Sequence, residues 1–194
     1  MPSVQVTATV PVMGQAPLQA PKILLDHIVV MGVSGSGKTT LAKGISTVMG
    51  WEYAEGDAFH SEANVARMHS GIPLTDTDRW PWLEAIGEWI SGKESRRECA
   101  VITCSALRRV YRDVLRVQRP HVRFLHVTAP AGLIEDRMEH RKDHYMPASL
   151  LPSQLATLEP LEPDEPGVSI TNEGTAAVVL DRALVALGLR KVNP

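Results

Sequence analysis

Cysteine is nearly missing from this 194-residue chain, which has only Cys99 and Cys104. The two sit at either end of the apolar run CAVITC, and an extended strand cannot bend back to bridge its own ends. Both therefore read as reduced thiols of a cytoplasmic protein. Long apolar runs are missing as well. None approaches the roughly 18–20 residues that would span a bilayer, so no membrane partner is expected. An excess of one charge is also lacking, with 20 Lys and Arg against 22 Asp and Glu. Such a balance supplies no field for nucleic acid or an anionic lipid surface, and the basic residues are not gathered with aromatics into a groove. A small-molecule partner is expected instead. The first 21 residues have no charged side chain and hold Pro2, Pro11, Pro17 and Pro21. They lack the basic start and apolar centre of a signal peptide. Residues 1–25 are expected to be a disordered extension, followed by one domain over 26–190 of ordinary globular composition.

From Asp26 onward, short β-branched runs alternate with amphipathic stretches, the rhythm of an α/β fold. HIVVMG, WEYAEGD, CAVITC, VRFLHVT and GVSIT read as five strands. Helices are expected over SEANVARMHS, WLEAIGEWIS, ALRRVYRDVLRV, PAGLIEDRMEHR and TAAVVLDRALVAL, with Leu41, Ile45, Val48 and Met49 marking another that ends at Gly50. The segment 142–167 holds five prolines and little periodicity. In a phosphate-transferring enzyme, such a stretch reads as a lid.

The chemistry begins at GVSGSGKTTLA. Gly32, Gly37, Lys38 and Thr39 satisfy G-x-x-x-x-G-K-[ST], with an apolar strand before and an amphipathic helix after. Glycines at these positions let backbone N–H groups converge on phosphate oxygens at a helix N-terminus, which also favours negative charge. Ser34, Gly35, Ser36 and Thr40 complete the cradle. Lys38 is placed to reach the β and γ phosphates, and the Thr39 hydroxyl to ligate Mg²⁺. ATP and Mg²⁺ are the expected cofactors. The loop alone does not say where the phosphate goes. There is no N-K-x-D guanine reader and no L-S-G-G-Q transporter signature, and the length and lid favour a small kinase.

Downstream, GDAFHSEANVARMHSGIPLTDTDRWPWL (56–83) and CSALRRVYRDVLR (104–116) resemble the gluconate kinases (gluconokinases) of the P-loop kinase superfamily. SQLATLEPLEPDE (153–165) is similar to that family's lid region. The resemblance runs from about His27 to the final helix. It implies a five-stranded parallel sheet in the order 2-3-1-4-5, gluconate as substrate, 6-phosphogluconate as product, and a homodimer. The chain departs from the family pattern in its uncharged extension, at Ala63 and Trp80, and at Met146-Pro147.

Each candidate has a chemical reason. Asp57, expected to end the second strand, belongs at the carboxyl edge of the sheet, where open α/β folds bind ligands. A carboxylate there can orient the acceptor hydroxyl, take its proton and hold a water on Mg²⁺. Ser61 is the better cap for the next helix. His60 either bonds a sugar-acid hydroxyl or makes a local hydrogen bond. Asp76 and Asp78 suit a helix start, whereas Arg79 does not, so Arg79 is a candidate clamp for a substrate carboxylate. Ser105, Arg108 and Arg109 follow the third strand and could fix the same end of the acceptor. Arg112 and Arg116 read as surface charges. Trp80, Trp82 and Trp89 read as core residues capping the crevice.

In related P-loop kinases an arginine near Arg137 lies over the adenine, and a lid arginine, here Arg141, approaches the transferring phosphoryl group. His144 is a further candidate contact from the lid. Gln154 and Glu159 either touch substrate or hinge the lid. Two other readings stand beside a gluconate kinase. One is a shikimate kinase-like enzyme, against which EGD and CSAL count. The other is a non-catalytic nucleotide-binding regulator, against which intact Lys38, Thr39, Asp57 and Arg141 count.

Overall fold

A computed structural model describes residues 25–139 and 148–190. Most of the expected extension, together with Arg141, His144 and residues 142–147 of the expected lid, lies outside the described residues. Strand β1 (His27–Met31) leads into α1 (Lys38–Met49), then β2 (Glu52–Glu55), a 3-10 turn (Gly56–Phe59), α2 (Glu62–His69), α3 (Asp76–Ser95) and β3 (Ala100–Thr103). The chain continues through α4 (Arg109–Arg116), β4 (Val122–Thr128), α5 (Ala131–Glu139), a second 3-10 turn (Ala148–Leu150), α6 (Leu151–Thr157), β5 (Gly167–Thr171) and α7 (Ala176–Ala186). All strand pairs are parallel, in the expected order β2-β3-β1-β4-β5. No helix among the described residues is long and apolar enough to cross a membrane.

The period of two in β1 builds both layers. Ile28 and Val30 pack with Leu41 and Ile45 of α1 and with Val179 and Leu184 of α7. Val29 and Met31 face the other way, onto Trp82, Leu83 and Ile86 of α3 and Tyr111 and Leu115 of α4. With helices on both faces, the inner strands β1, β3 and β4 are largely buried and their carboxyl edge is the open place for a site.

Three helices differ from the sequence expectation, α4 starting at Arg109 rather than at Ala106, whose φ is 42°. α3 starts at Asp76 rather than Trp82, because Thr75 and Asp78 form a capping box in which each side chain bonds the other's backbone N–H. Pro81 lies inside that helix. Within the expected lid, Leu151–Thr157 is helical, with Pro152 in its first turn, where a missing N–H costs nothing.

The amino edge of the sheet holds His27, 1% exposed, with neither ring nitrogen hydrogen-bonded among the described residues. Burial pushes its pKa down, and His121 adds to this while Glu94 opposes it. The ring is therefore neutral when folded, and the unfolded chain takes up a proton first as pH falls below about 6.5. Stability is full above that value and is expected to fall by up to about 1.4 kcal/mol per pH unit below it, until the folded-state pKa is reached. Urea titrations at pH 7.5 and 5.5 should show a smaller pH effect in His27→Leu than in the unaltered chain. Equal effects would contradict this assignment.

Candidate active site

Gly37 caps α1 in the left-handed region at φ 98°. A side chain there would meet Asn172 Nδ2 at 2.1 Å, so only glycine fits. Asn172 follows β5 and donates to the Ser36 carbonyl at 2.6 Å, which fixes the phosphate loop from the other side of the sheet edge. Lys38 Nζ donates to the Val33 carbonyl at 2.9 Å and so lies along the loop. Ser36 Oγ and Arg137 Nη1 are buried and have no hydrogen-bond partner among the described residues. Buried donors of this kind, with a helix N-terminus, are what a polyphosphate would satisfy.

The loop separates two spaces. On one side is a cavity of about 540 Å³, lined by Gly35, Gly37, Thr40, Arg137, Asn172 and apolar residues of α1 and α7. That volume is in the range of small-molecule sites. On the other side is a narrower cleft of about 50 Å³, where Lys38 and Ser34 meet Asp57, His60, Arg79, Ser105 and Gln154. Gly32 lies at the end of β1, with its N–H on the Ser105 carbonyl at 3.3 Å.

The structure thus brings Asp57, His60, Arg79 and Ser105 into one cleft beside Lys38. Asp57 belongs to the 3-10 turn rather than to β2 itself, and Ser61, as expected, caps α2 by accepting from Asn64 N–H at 3.2 Å. The turn is close-packed. A Cβ at Gly56 would meet the Thr103 carbonyl oxygen at 1.9 Å, and Trp82 Nε1 donates to the Gly56 carbonyl at 2.7 Å. Trp82 also stacks on His60, with ring centroids 4.2 Å apart. Burial pushes the His60 pKa down to about 4, Arg79 adding to the effect and Asp57 opposing it. At neutral pH the imidazole is uncharged, suited to a hydroxyl rather than a carboxylate. Arg79 Nη1 donates to Tyr111 Oη at 3.1 Å and lies 3.7 Å from Asp76.

Arg108 and Arg109 are not part of the cleft wall. Arg108 is engaged by Asp76 at 2.6 Å and by Glu159 at 3.4 Å. Arg109 forms a two-pronged pair with Asp164 at 2.9 and 2.5 Å. Their acidic partners lie up to 55 residues away in the chain, which a local pattern does not reveal. Arg112 is corrected outright, being wholly buried against Glu165 rather than on the surface.

One carboxylate was missed. Glu55, the last residue of β2, accepts from Thr39 Oγ1 at 3.0 Å and from Tyr53 Oη at 2.5 Å, and also bonds Thr103 Oγ1. Its position at the carboxyl edge, two residues before Asp57, was the available signal.

The chain is 48% identical to the gluconokinase of Gluconobacter oxydans over 157 residues, which cover 81% of this chain and 88% of that one. The chain belongs to the gluconokinase family. No family model matches it. Among solved structures, it superposes on a gluconokinase from Sinorhizobium meliloti 1021 with a TM-score of 0.77 at 42% identity, over 86% of this chain and 93% of the other. A sugar kinase from Janibacter sp. HTCC2649 gives a TM-score of 0.81 at 54% identity, over 84% and 95%. The chain is therefore a P-loop kinase of small molecules, and the phosphate loop between two spaces is the site such an enzyme needs.

The Thr39 hydroxyl, with the Glu55 carboxylate on it and Asp57 two residues further on, offers hard oxygen donors of the kind Mg²⁺ takes. No group of three or more His, Cys, Asp or Glu that could hold a metal occurs among the described residues.

Proposed function

We propose that this enzyme transfers the γ-phosphoryl group of ATP to the 6-hydroxyl of D-gluconate, giving 6-phosphogluconate and ADP. The observation that carries the reading is that Lys38 and Asp57 share one cleft with Arg79, directly across the phosphate loop from a nucleotide-sized cavity. Membership of the gluconokinase family sets aside the shikimate and regulatory alternatives.

The adenosine lies in the larger cavity beside Arg137, and the phosphates run along Gly32, Ser34, Gly35, Ser36, Gly37, Lys38, Thr39 and Thr40. Thr39, oriented by Glu55, and Asp57 would hold Mg²⁺, which would supply neutralisation of the phosphate charge. Asp57 accepts the proton of the attacking hydroxyl while that oxygen bonds to the γ-phosphorus and the bond to the β-phosphate oxygen breaks. Ser105 and neutral His60 hydrogen-bond the polyol. Of the three candidate arginines, Arg79 alone lines the cleft, and it clamps the carboxylate. Arg108 and Arg109 hold the cleft's outer wall through Glu159 and Asp164. Arg141 and His144 are proposed to complete the site from the lid.

An ADP-release assay with gluconate, shikimate, AMP or no acceptor tests the substrate. Gluconate-dependent release supports it, and equal release without acceptor would sink it. Arg79→Leu should raise the KM for gluconate by about 10–100-fold, the worth of a charge-assisted pair, with the KM for ATP unchanged. An unaltered gluconate KM would remove Arg79 from that role.

A further inference from the structure

The acceptor cleft is walled on one side by Leu150, Ser153 and Gln154, at or beside the start of α6. Gln154 reaches out of that helix to the phosphate loop, where its Oε1 accepts from Ser34 N–H at 2.7 Å. Because the donor is a backbone N–H, the orientation of the carboxamide is fixed, with oxygen on the loop. This bond spans 120 residues of sequence and is a direct tie between the acceptor wall and the nucleotide loop.

The other end of the segment is held independently. Leu158 N–H closes the helix on the Gln154 carbonyl, Glu159 N–H donates to the Leu107 carbonyl at 2.7 Å, and the Glu159 carboxylate takes Arg109 N–H. Beneath it, Arg112 bonds the carbonyls of Glu159 and Pro160. α6 is thus anchored at its C-terminal end by several bonds, while Gln154 ties its N-terminal half to the nucleotide loop. The cleft below has room for about three to five waters at 10–15 Å³ each. An acceptor bound in the cleft therefore lies against this wall.

We propose that Gln154 is a positioning residue for phosphoryl transfer, closing α6 over the acceptor by docking on Ser34 and so setting the hydroxyl against the phosphate while shutting out water. The inference rests on the gluconate reading above. With the bond made, the sugar hydroxyl is the oxygen that attacks phosphorus. With it broken, water takes that place and the products are ADP and inorganic phosphate.

Gln154→Met keeps the length and apolar stem of the side chain and removes the acceptor. The experiment measures 6-phosphogluconate and inorganic phosphate together, at saturating Mg-ATP and gluconate, alongside the melting temperature. The variant is expected to lose about 10–100-fold in kcat for gluconate, as a misplaced acceptor would. Its ratio of inorganic phosphate to 6-phosphogluconate should rise at least about ten-fold, since the barrier to water is removed. The melting temperature should fall by only a few degrees, the cost of one unpaired N–H, and the KM for ATP should hold. Unaltered kcat and product ratio would overturn the inference. So would a lowered melting temperature with both KM values raised and the ratio unmoved, which is what a merely structural contact gives. A wild-type enzyme that phosphorylates no gluconate would instead overturn the substrate reading, and the inference with it.

Discussion

Asp57→Asn is expected to lower kcat for gluconate phosphorylation by about 10²–10⁴-fold, the usual worth of a positioned general base. The substitution is isosteric, and the 3-10 turn that presents the residue is held by Trp82 Nε1 on the Gly56 carbonyl and by Gly56 N–H on Thr103 Oγ1. The folded structure and the KM for ATP should therefore survive. The loss falls on the step in which the hydroxyl proton leaves, because an amide has no capacity to take it. Steady-state kinetics with gluconate varied at saturating Mg-ATP check the point. A variant within a few-fold of the wild-type kcat would move the base elsewhere in the cleft.

Arg112→Ala is expected to produce the largest loss of stability, about 3–5 kcal/mol, as for other buried pairs broken on one side. Both side chains of the Arg112–Glu165 pair are 0% exposed. The guanidinium donates to both carboxylate oxygens at 2.5 and 2.7 Å and to the Leu107, Glu159 and Pro160 carbonyls, while Glu162 N–H bonds the same carboxylate. Burial works against the charge on Glu165, and these bonds outweigh it, holding the carboxyl below its ordinary range. Removing Arg112 leaves a buried anion and takes the guanidinium donor from the Glu159 and Pro160 carbonyls. For a chain of this size the melting temperature should drop by about 6–20 °C. Arg112→Lys should recover little, since a single ammonium cannot replace the planar fork. The double variant with Glu165→Ala should cost less than the two single losses added, because they share one interaction. Strict additivity would show that the two residues do not act as a pair.

The parts legible in the sequence were those written in contiguous residues. The phosphate loop and the five strands each sit in one short segment whose spacing implies its geometry, whereas the turn that carries Asp57 reads in sequence as the end of β2. The buried Arg112 was not legible, because its partner is 53 residues away and an i, i+4 pattern on α4 looks the same for a solvated arginine. The same reason hid the partners of Arg108 and Arg109, so three arginines competed for one carboxylate where the fold leaves Arg79 in the cleft. α3 began early, at the capping box of Thr75 and Asp78, and carries Pro81 inside it. Glu55 went unread because a glutamate at a strand end resembles any exposed acid until Thr39 is brought to within 3.0 Å of it.

The central claim is that the phosphoryl group crosses the phosphate loop from the nucleotide to the terminal hydroxyl in the Asp57 cleft. The most direct measurement is an NMR spectrum of the product made from Mg-ATP and gluconate labelled with carbon-13 at its terminal carbon. The account predicts phosphorus–carbon coupling at that carbon. Phosphate esterified elsewhere on the sugar acid, or found only as free inorganic phosphate, would contradict it.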